Sequence, residues 1–246
     1  MERTALRRRL TWQLATVIEL VDETPGTRSI ALDPPDWSGH RAGQHVDVRL
    51  TAADGYQAQR SYSIASAPED GHLVLTVERL EDGEVSPFLV DELRVGDRLE
   101  LRGPIGGYFV WEEPLGGPLL LIAGGSGVAP FRSMLRHHRA TGSIVPVRLL
   151  YSARSLAEVI YREELRRIDP DGVIDIRLTL TRERPHGWRG YARRIDRELL
   201  AEVAWPPSEQ PLAYVCGPTS FVERAANELV AIGYEASRIR TERFGG

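Results

Sequence analysis

The chain has 246 residues, 42% of them hydrophobic and 27% charged, which is enough apolar material for one large domain or two of ordinary size. Its formal net charge of −4 argues against nucleic-acid binding, an affinity that comes mainly from neutralising phosphates. No apolar run reaches the roughly 18 residues of a membrane span, and a single cysteine, Cys216, excludes both an internal disulfide and a cysteine-ligated iron–sulfur cluster.

All 31 basic residues are arginine and they are unevenly spread: residues 1–113 hold 12 Arg against 20 Asp and Glu, residues 114–246 hold 19 against 15. The first part is therefore −8 and the second +4, so the second is the better host for a small phosphorylated ligand. Arg7, Arg8 and Arg9 open the chain like a twin-arginine export signal. Glu19, Asp22 and Glu23 fall where the apolar region of such a signal should run, so a cytoplasmic setting is expected.

Up to about residue 110 the pattern is one of short strands: WQLATVIEL, TRSIALD, HVDVRL, RSYSIA, HLVLTVERL and DRLELRG, separated by PG, DPPD, DG and GD turns. Six such strands predict a small antiparallel Greek-key barrel. One helical interruption, SPFLVDEL, is expected to start with Ser86 as N-cap and Pro87 at the first helical position. RSYSIAS at 60–66 crowds an arginine, a tyrosine and three serines into what otherwise reads as a barrel wall.

EEPLGGP at 112–118 is linker-like, and the domain boundary is placed between residues 113 and 114. Beyond it strands and helices alternate. PLLLIA leads through GGSGVAP to helix FRSMLRHHRA, and PVRLLY to helix SLAEVIYREELRRI, which opens with a Ser155–Glu158 capping box. VIDIRLTL, RRIDRELLAEVA, LAYVCG and a helix from about 219 to 232, with Phe221, Ala225, Leu229 and Ile232 on one face, complete the series. Such alternation builds a parallel sheet covered on both sides. GGSGVAP, residues 124–130, then sits at a strand's carboxyl end before a helix N-terminus. There Gly125, Ser126 and Gly127 can bring backbone N–H groups close to an anion, which makes the loop a nucleotide-binding candidate although it is not a GxGxxG fingerprint. His137 and His138 are adjacent and share no helix face; no metal site is expected, and both are read as solvated helix surface.

Taken together, RSYSIAS, GEVS at 83–86, GPIGGYF at 103–109, GGSGVAP, CGP at 216–218 and ERF at 242–244 resemble the ferredoxin–NADP reductase family of flavoenzymes, over essentially the whole chain. The resemblance implies an N-terminal barrel binding FAD, preferred to FMN on this ground alone, and a C-terminal α/β domain binding a nicotinamide nucleotide. Arg60 would pair with the flavin pyrophosphate, within a flavin-binding strand that includes Ser61. Tyr62 would cover one face of the flavin ring, and Ser63 would bond near the nitrogen that accepts hydride. Glu84, Val85 and Ser86 would offer backbone N–H groups to the same phosphates. Val77 and Glu78 would run along the flavin edge, and Phe244 would lie on the opposite ring face, with two glycines after it. By the same resemblance Cys216 stands beside the nicotinamide, and Ser63, Cys216 and Glu242 form a polar cluster on the hydride path.

An NADP site needs positive charge for the 2′-phosphate. Arg154 in SAR, Thr181 and Arg182 in TRER, and Arg194 in GYARRID match positions where NADP-using relatives hold Ser/Thr and Arg, with Arg189 or Arg193 as alternatives to Arg194. NADPH is therefore expected over NADH. Many relatives carry a fused iron–sulfur, globin or membrane segment, and this sequence shows none, so the electron acceptor is expected to be a separate protein: a ferredoxin, an oxygenase, a haem protein or a molybdenum enzyme. The −8 balance of the flavin half fits awkwardly with an acidic ferredoxin unless Arg41 and Arg79 make a local basic patch. Two other functions stay open, a reductase of free flavin held as a loose substrate, and a non-enzymatic electron-transfer subunit.

Overall fold

The computed structural model describes residues 10–168 and 172–244, so the Arg7–Arg9 run and the two final glycines lie outside the described residues. Six strands, β1 (Gln13–Thr24), β2 (Thr27–Asp33), β3 (His45–Thr51), β4 (Gln57–Ser63), β5 (Leu73–Glu78) and β6 (Arg98–Ile105), form an antiparallel sheet in the order β4-β3-β6-β1-β2-β5. The sheet closes because the chain just after β4 bonds to β5: Ala65 N–H donates to the Val74 carbonyl at 2.8 Å, beside an Ile64–Leu75 bridge. Inside lie Ile30, Leu32, Val46, Val48, Ile64, Leu75, Leu99 and Leu101, all at most 2% exposed. β5 is buried on both faces, with Leu73, Leu75 and Val77 in the barrel core while Val74 packs outward against the second sheet.

That second sheet is parallel, in the order β11-β10-β7-β8-β9, from β7 (Leu119–Gly124), β8 (Val147–Ala153), β9 (Ile174–Leu180), β10 (Leu212–Pro218) and β11 (Ile239–Phe244). Alternate residues of β7 serve its two faces. Leu119 and Leu121 pack with Phe131 and Leu135 of α1 (Ala129–Ala140), whereas Leu120 and Ile122 pack with α3 (Arg197–Val203) and α4 (Thr219–Ala231). On α4 the buried residues are Val222, Ala225 and Leu229, with Phe221 and Ile232 partly buried against the same cluster.

Four local expectations are corrected. Ser86 does not cap the SPFLVDEL helix: its hydroxyl accepts from Leu80 N–H at 3.1 Å, the first helical bond runs from Leu89 N–H to the Val85 carbonyl, and the segment closes in a π turn over Phe88–Glu92. A short 3₁₀ turn, Pro68–Asp70, also interrupts the barrel strands. SLAEVIYREELRRI is not one helix but a 3₁₀ turn, Leu156–Glu158, and a separate α2 (Arg162–Arg167), broken at Tyr161, whose φ is +58°. Its capping box is absent because Ser155 donates to the Glu158 carboxylate, and Leu156 N–H donates to Glu183 instead. The physical reason for the break is tertiary: Val159, Ile160 and Tyr161 are all buried, and the Tyr161 hydroxyl donates to Thr76 of β5. Lastly, His138 is not solvated; it is 2% exposed against Trp111 with Nε2 at 2.8 Å from the Val145 carbonyl, while His137 pairs with Glu69.

Candidate active site

The carboxyl ends of β10 and β11 meet the end of β4 where the two sheets face each other. Cys216 is registered beside Glu242 across β10 and β11, and His45 beside Ser63 across β3 and β4. Side chains close the gap: Ser63 Oγ donates to Glu242 Oε2 at 3.1 Å, and His45 Nδ1 lies 3.5 Å from Glu242 Oε1. Three residues expected to share a site are thus brought together from opposite ends of the sequence. Cys216 is 1% exposed, and burial, reinforced by the nearby Glu242 carboxylate, pushes its thiol well above the usual value, so it is a neutral group. Phe244 ends β11 and packs partly buried against the core of the parallel sheet.

On the barrel side Arg60 Nη2 donates to Glu84 Oε2 at 2.6 Å, and Tyr56 donates to the other oxygen of the same carboxylate at 2.6 Å. These two contacts hold the Glu84 carboxyl below its ordinary range. Arg60 and GEVS, far apart in sequence, therefore form one exposed corner. The N–H groups of Val85 and Ser86 lie ahead of the helix's first bond, so this corner combines a guanidinium with unspent backbone donors, a donor set suited to a pyrophosphate. Tyr62 packs on the barrel core, and burial pushes its hydroxyl up to about 12. Ser61 instead points its hydroxyl at Asp47, which also takes an ion pair from Arg102, so its polar group is engaged within the barrel. Val77 is fully buried, and Ser66 accepts from Val74 N–H through Oγ.

A cleft of about 760 Å³ runs between the sheets. Gly125, Arg154, Thr181, Arg182 and Arg194 line it, all from the expected set. Of the three late arginines, Arg194 lines the cleft and Arg189 and Arg193 do not. Arg193 is held by Asp196 and Glu198, whereas none of Arg154, Arg182 and Arg194 makes an ion pair among the described residues. The glycine loop fits its position closely. A Cβ on Gly127 would stand 2.2 Å from the Cys216 carbonyl oxygen, and one on Gly124 would stand 3.0 Å from the Phe221 ring. Three contributors were not expected from the sequence, and a fourth, Glu78, was expected only along the flavin edge. His45 acts through strand register, Phe221 and Arg224 sit one to two turns into α4, and the Glu78 side chain crosses to the loop, where it accepts from Ser126 N–H at 3.4 Å. Of these, only Phe221 and Arg224 carried a signal, their short distance beyond CGP.

Residues 23–110 match the model of the oxidoreductase FAD-binding domain, and residues 121–227 that of the oxidoreductase NAD-binding domain. The chain belongs to the oxidoreductases built from an FAD-binding and an NAD-binding domain, and its fold is that of the ferredoxin–NADP reductases. It is 31% identical to the NADH oxidoreductase HCR of Escherichia coli over 95% of this chain and 68% of the relative. It is 32% identical to the glycine betaine monooxygenase reductase subunit of Chromohalobacter salexigens, over 93% of this chain and 63% of that protein, so it spans less than two thirds of that relative's length. Among solved structures it superposes on the FAD/NAD-binding domain of the Vibrio cholerae nitric oxide dioxygenase with a TM-score of 0.85 at 25% identity, covering 95% and 99% of the two chains. It shares its fold with a Neisseria gonorrhoeae ferredoxin NADP⁺ reductase solved with FAD and NADP, at a TM-score of 0.81 and 21% identity over 94% and 98%.

Proposed function

We propose that the chain takes hydride from NADPH onto bound FAD and passes electrons singly to a separate redox protein. The observation that carries this reading is the Ser63–Glu242 hydrogen bond, which joins the barrel's polar strand end to the nucleotide sheet beside Cys216. Bound flavin supplies the redox chemistry, accepting two electrons together and releasing them one at a time. The chain's residues hold and screen it. Arg60 with the Val85 and Ser86 N–H groups serves the pyrophosphate, the GGSG loop and Arg154, Thr181, Arg182 and Arg194 serve the nucleotide, and neutral Cys216 packs the floor without competing for the proton. A proton at Ser63 Oγ has a route through Glu242 to His45, which is 24% exposed. Division of labour between residues 1–113 and 114–246 is part of this reading, since the two matched segments fall on either side of that point. So is a cytoplasmic setting, for which the one cysteine is the support.

NADPH is favoured over NADH by the unpaired arginines at the ends of β8 and β9, although one relative is named an NADH oxidoreductase. An oxygenase component is the favoured acceptor, because relatives are named as monooxygenase reductase subunits and the −8 flavin half would repel an acidic ferredoxin. Stopped-flow mixing of the flavin-loaded chain with NADPH and NADH tests the core claim: bleaching of the flavin band is expected, faster with NADPH than with NADH at the same low concentration, and no bleaching by either nucleotide refutes it. A second reading, reduction of free flavin, is favoured by the grip of Glu84 on Arg60, which a flavin phosphate has to break. Retention of the yellow colour through gel filtration excludes it.

A further inference from the structure

Glu78 ends β5 on the barrel, yet its carboxylate lies in the cleft against the nucleotide loop of the other sheet. Oε2 accepts from Ser126 N–H at 3.4 Å and stands 3.4 Å from where a Cβ of Gly125 would be, and Gly125 is left-handed at φ +56°. No cation neutralises it among the described residues: its neighbour Arg79 is taken by Asp91 at 2.7 Å, and the cleft arginines make no ion pair with it. A carboxylate thus rests on the backbone donor that a strand-loop-helix site keeps for phosphate.

We propose that Glu78 sets the affinity for the nicotinamide nucleotide by competing with its pyrophosphate for the Ser126 N–H, an inference that rests on the nucleotide reading of the cleft. The arriving phosphate either displaces the carboxylate or lies beside it, and both weaken binding, because like charges brought together oppose association. The arginines farther along the cleft are untouched by this competition. Choice of nucleotide is consequently set at the 2′-phosphate end, while overall grip is kept loose at the pyrophosphate, so oxidised nucleotide is released readily and the carboxylate returns to the loop.

The test uses the flavin-loaded chain and two probes, 2′-phospho-ADP-ribose, which carries the pyrophosphate, and 2′-AMP, which does not, with binding read by calorimetry. Glu78→Gln keeps the side chain's shape and removes the charge. It is expected to tighten 2′-phospho-ADP-ribose roughly fivefold or more while leaving 2′-AMP within about twofold of the unaltered chain. Glu78→Ala should act in the same direction, which guards against a new contact made by the amide. Unchanged or weaker binding of 2′-phospho-ADP-ribose in both variants overturns the competition, and equal tightening of both probes shows a general charge effect and overturns it too. Failure of the unaltered chain to bind either probe is a different result: it removes the nucleotide site itself, and the proposal with it.

Discussion

Arg182 and Arg154 stand at the ends of adjacent strands with Arg182 N–H donating to the Arg154 carbonyl at 2.9 Å, so two guanidinium stems leave one rigid platform. Reversing one charge there should hurt the phosphorylated nucleotide selectively. Arg182→Glu is expected to raise the KM for NADPH by roughly tenfold or more, the worth of one or two charge-assisted hydrogen bonds, with less than about threefold effect on NADH; equal effects in steady-state kinetics refute the phosphate assignment. Cys216 gives a pH prediction. Its thiol is raised in the folded chain by burial and by Glu242, whereas an unfolded thiol ionises near about 8.5. Above that pH the unfolded chain binds fewer protons, so this contribution to stability is complete below it and falls as pH rises. The slope of melting temperature against pH between about 7.5 and 9.5 should therefore be shallower in Cys216→Ser, a window below the ordinary titration of the buried tyrosines. Residues such as Arg60, Ser63 and Glu242 were legible in the sequence because they sit in dense motifs. His45 was not, and Glu78 was expected only at the flavin edge, since the first acts through pairing with Ser63 and the second reaches Ser126 across a sheet-to-sheet gap, neither of which has a local signature.

Strands were the most legible elements, because period-two burial and turn residues mark them directly, as in β3 with Val46 and Val48 inward. β11 was not read as a strand. IRTERF has no apolar run, and only pairing with β10 from Ala213–Ile239 to Pro218–Phe244 makes it one. Tyr161 shows the opposite failure: a helix-period segment is broken where a buried hydroxyl contact outweighs local propensity. The loop between β7 and α1 is where element packing and chemistry are tied most tightly. Gly127→Ala would drive a Cβ to 2.2 Å from the Cys216 carbonyl oxygen, and that neighbour is backbone, so it cannot swing aside. A cost of about 1–3 kcal/mol is expected, seen as a fall in melting temperature of roughly 2–4 °C per kcal/mol. It should be accompanied by weakened NADP⁺ binding, and a variant that keeps both stability and affinity contradicts this packing account.

At the scale of the whole molecule, the two sheets share one buried cluster and a band of polar contacts. Ala31, Ala42, Ala65 and Val74 of the barrel half sit in the same buried cluster as Leu121, Phe131 and Tyr161. Ser133 donates to the Ser66 carbonyl at 2.6 Å, Arg136 bridges Asp70 and Glu164, and Tyr214 donates to the Val110 carbonyl at 2.7 Å. Thr76, on which the Tyr161 hydroxyl rests, is in turn 2.9 Å from Ser29, and Arg132 lies 4.7 Å from the centre of the Tyr161 ring. Such a seam couples the halves, so thermal unfolding should be one cooperative transition. Tyr161→Phe removes only the hydroxyl and leaves the Ser29–Thr76 pair intact, a loss of about 1 kcal/mol. Tyr161→Ala removes the whole plug and should cost about 3–5 kcal/mol. Ser63 and Glu242 come from opposite sides of the seam, so the alanine variant should also slow flavin reduction at saturating NADPH, whereas the phenylalanine variant should leave it nearly unchanged. Calorimetry with stopped-flow reduction on both variants checks this; an alanine variant that melts far lower yet is reduced at full rate would show that the seam serves stability alone.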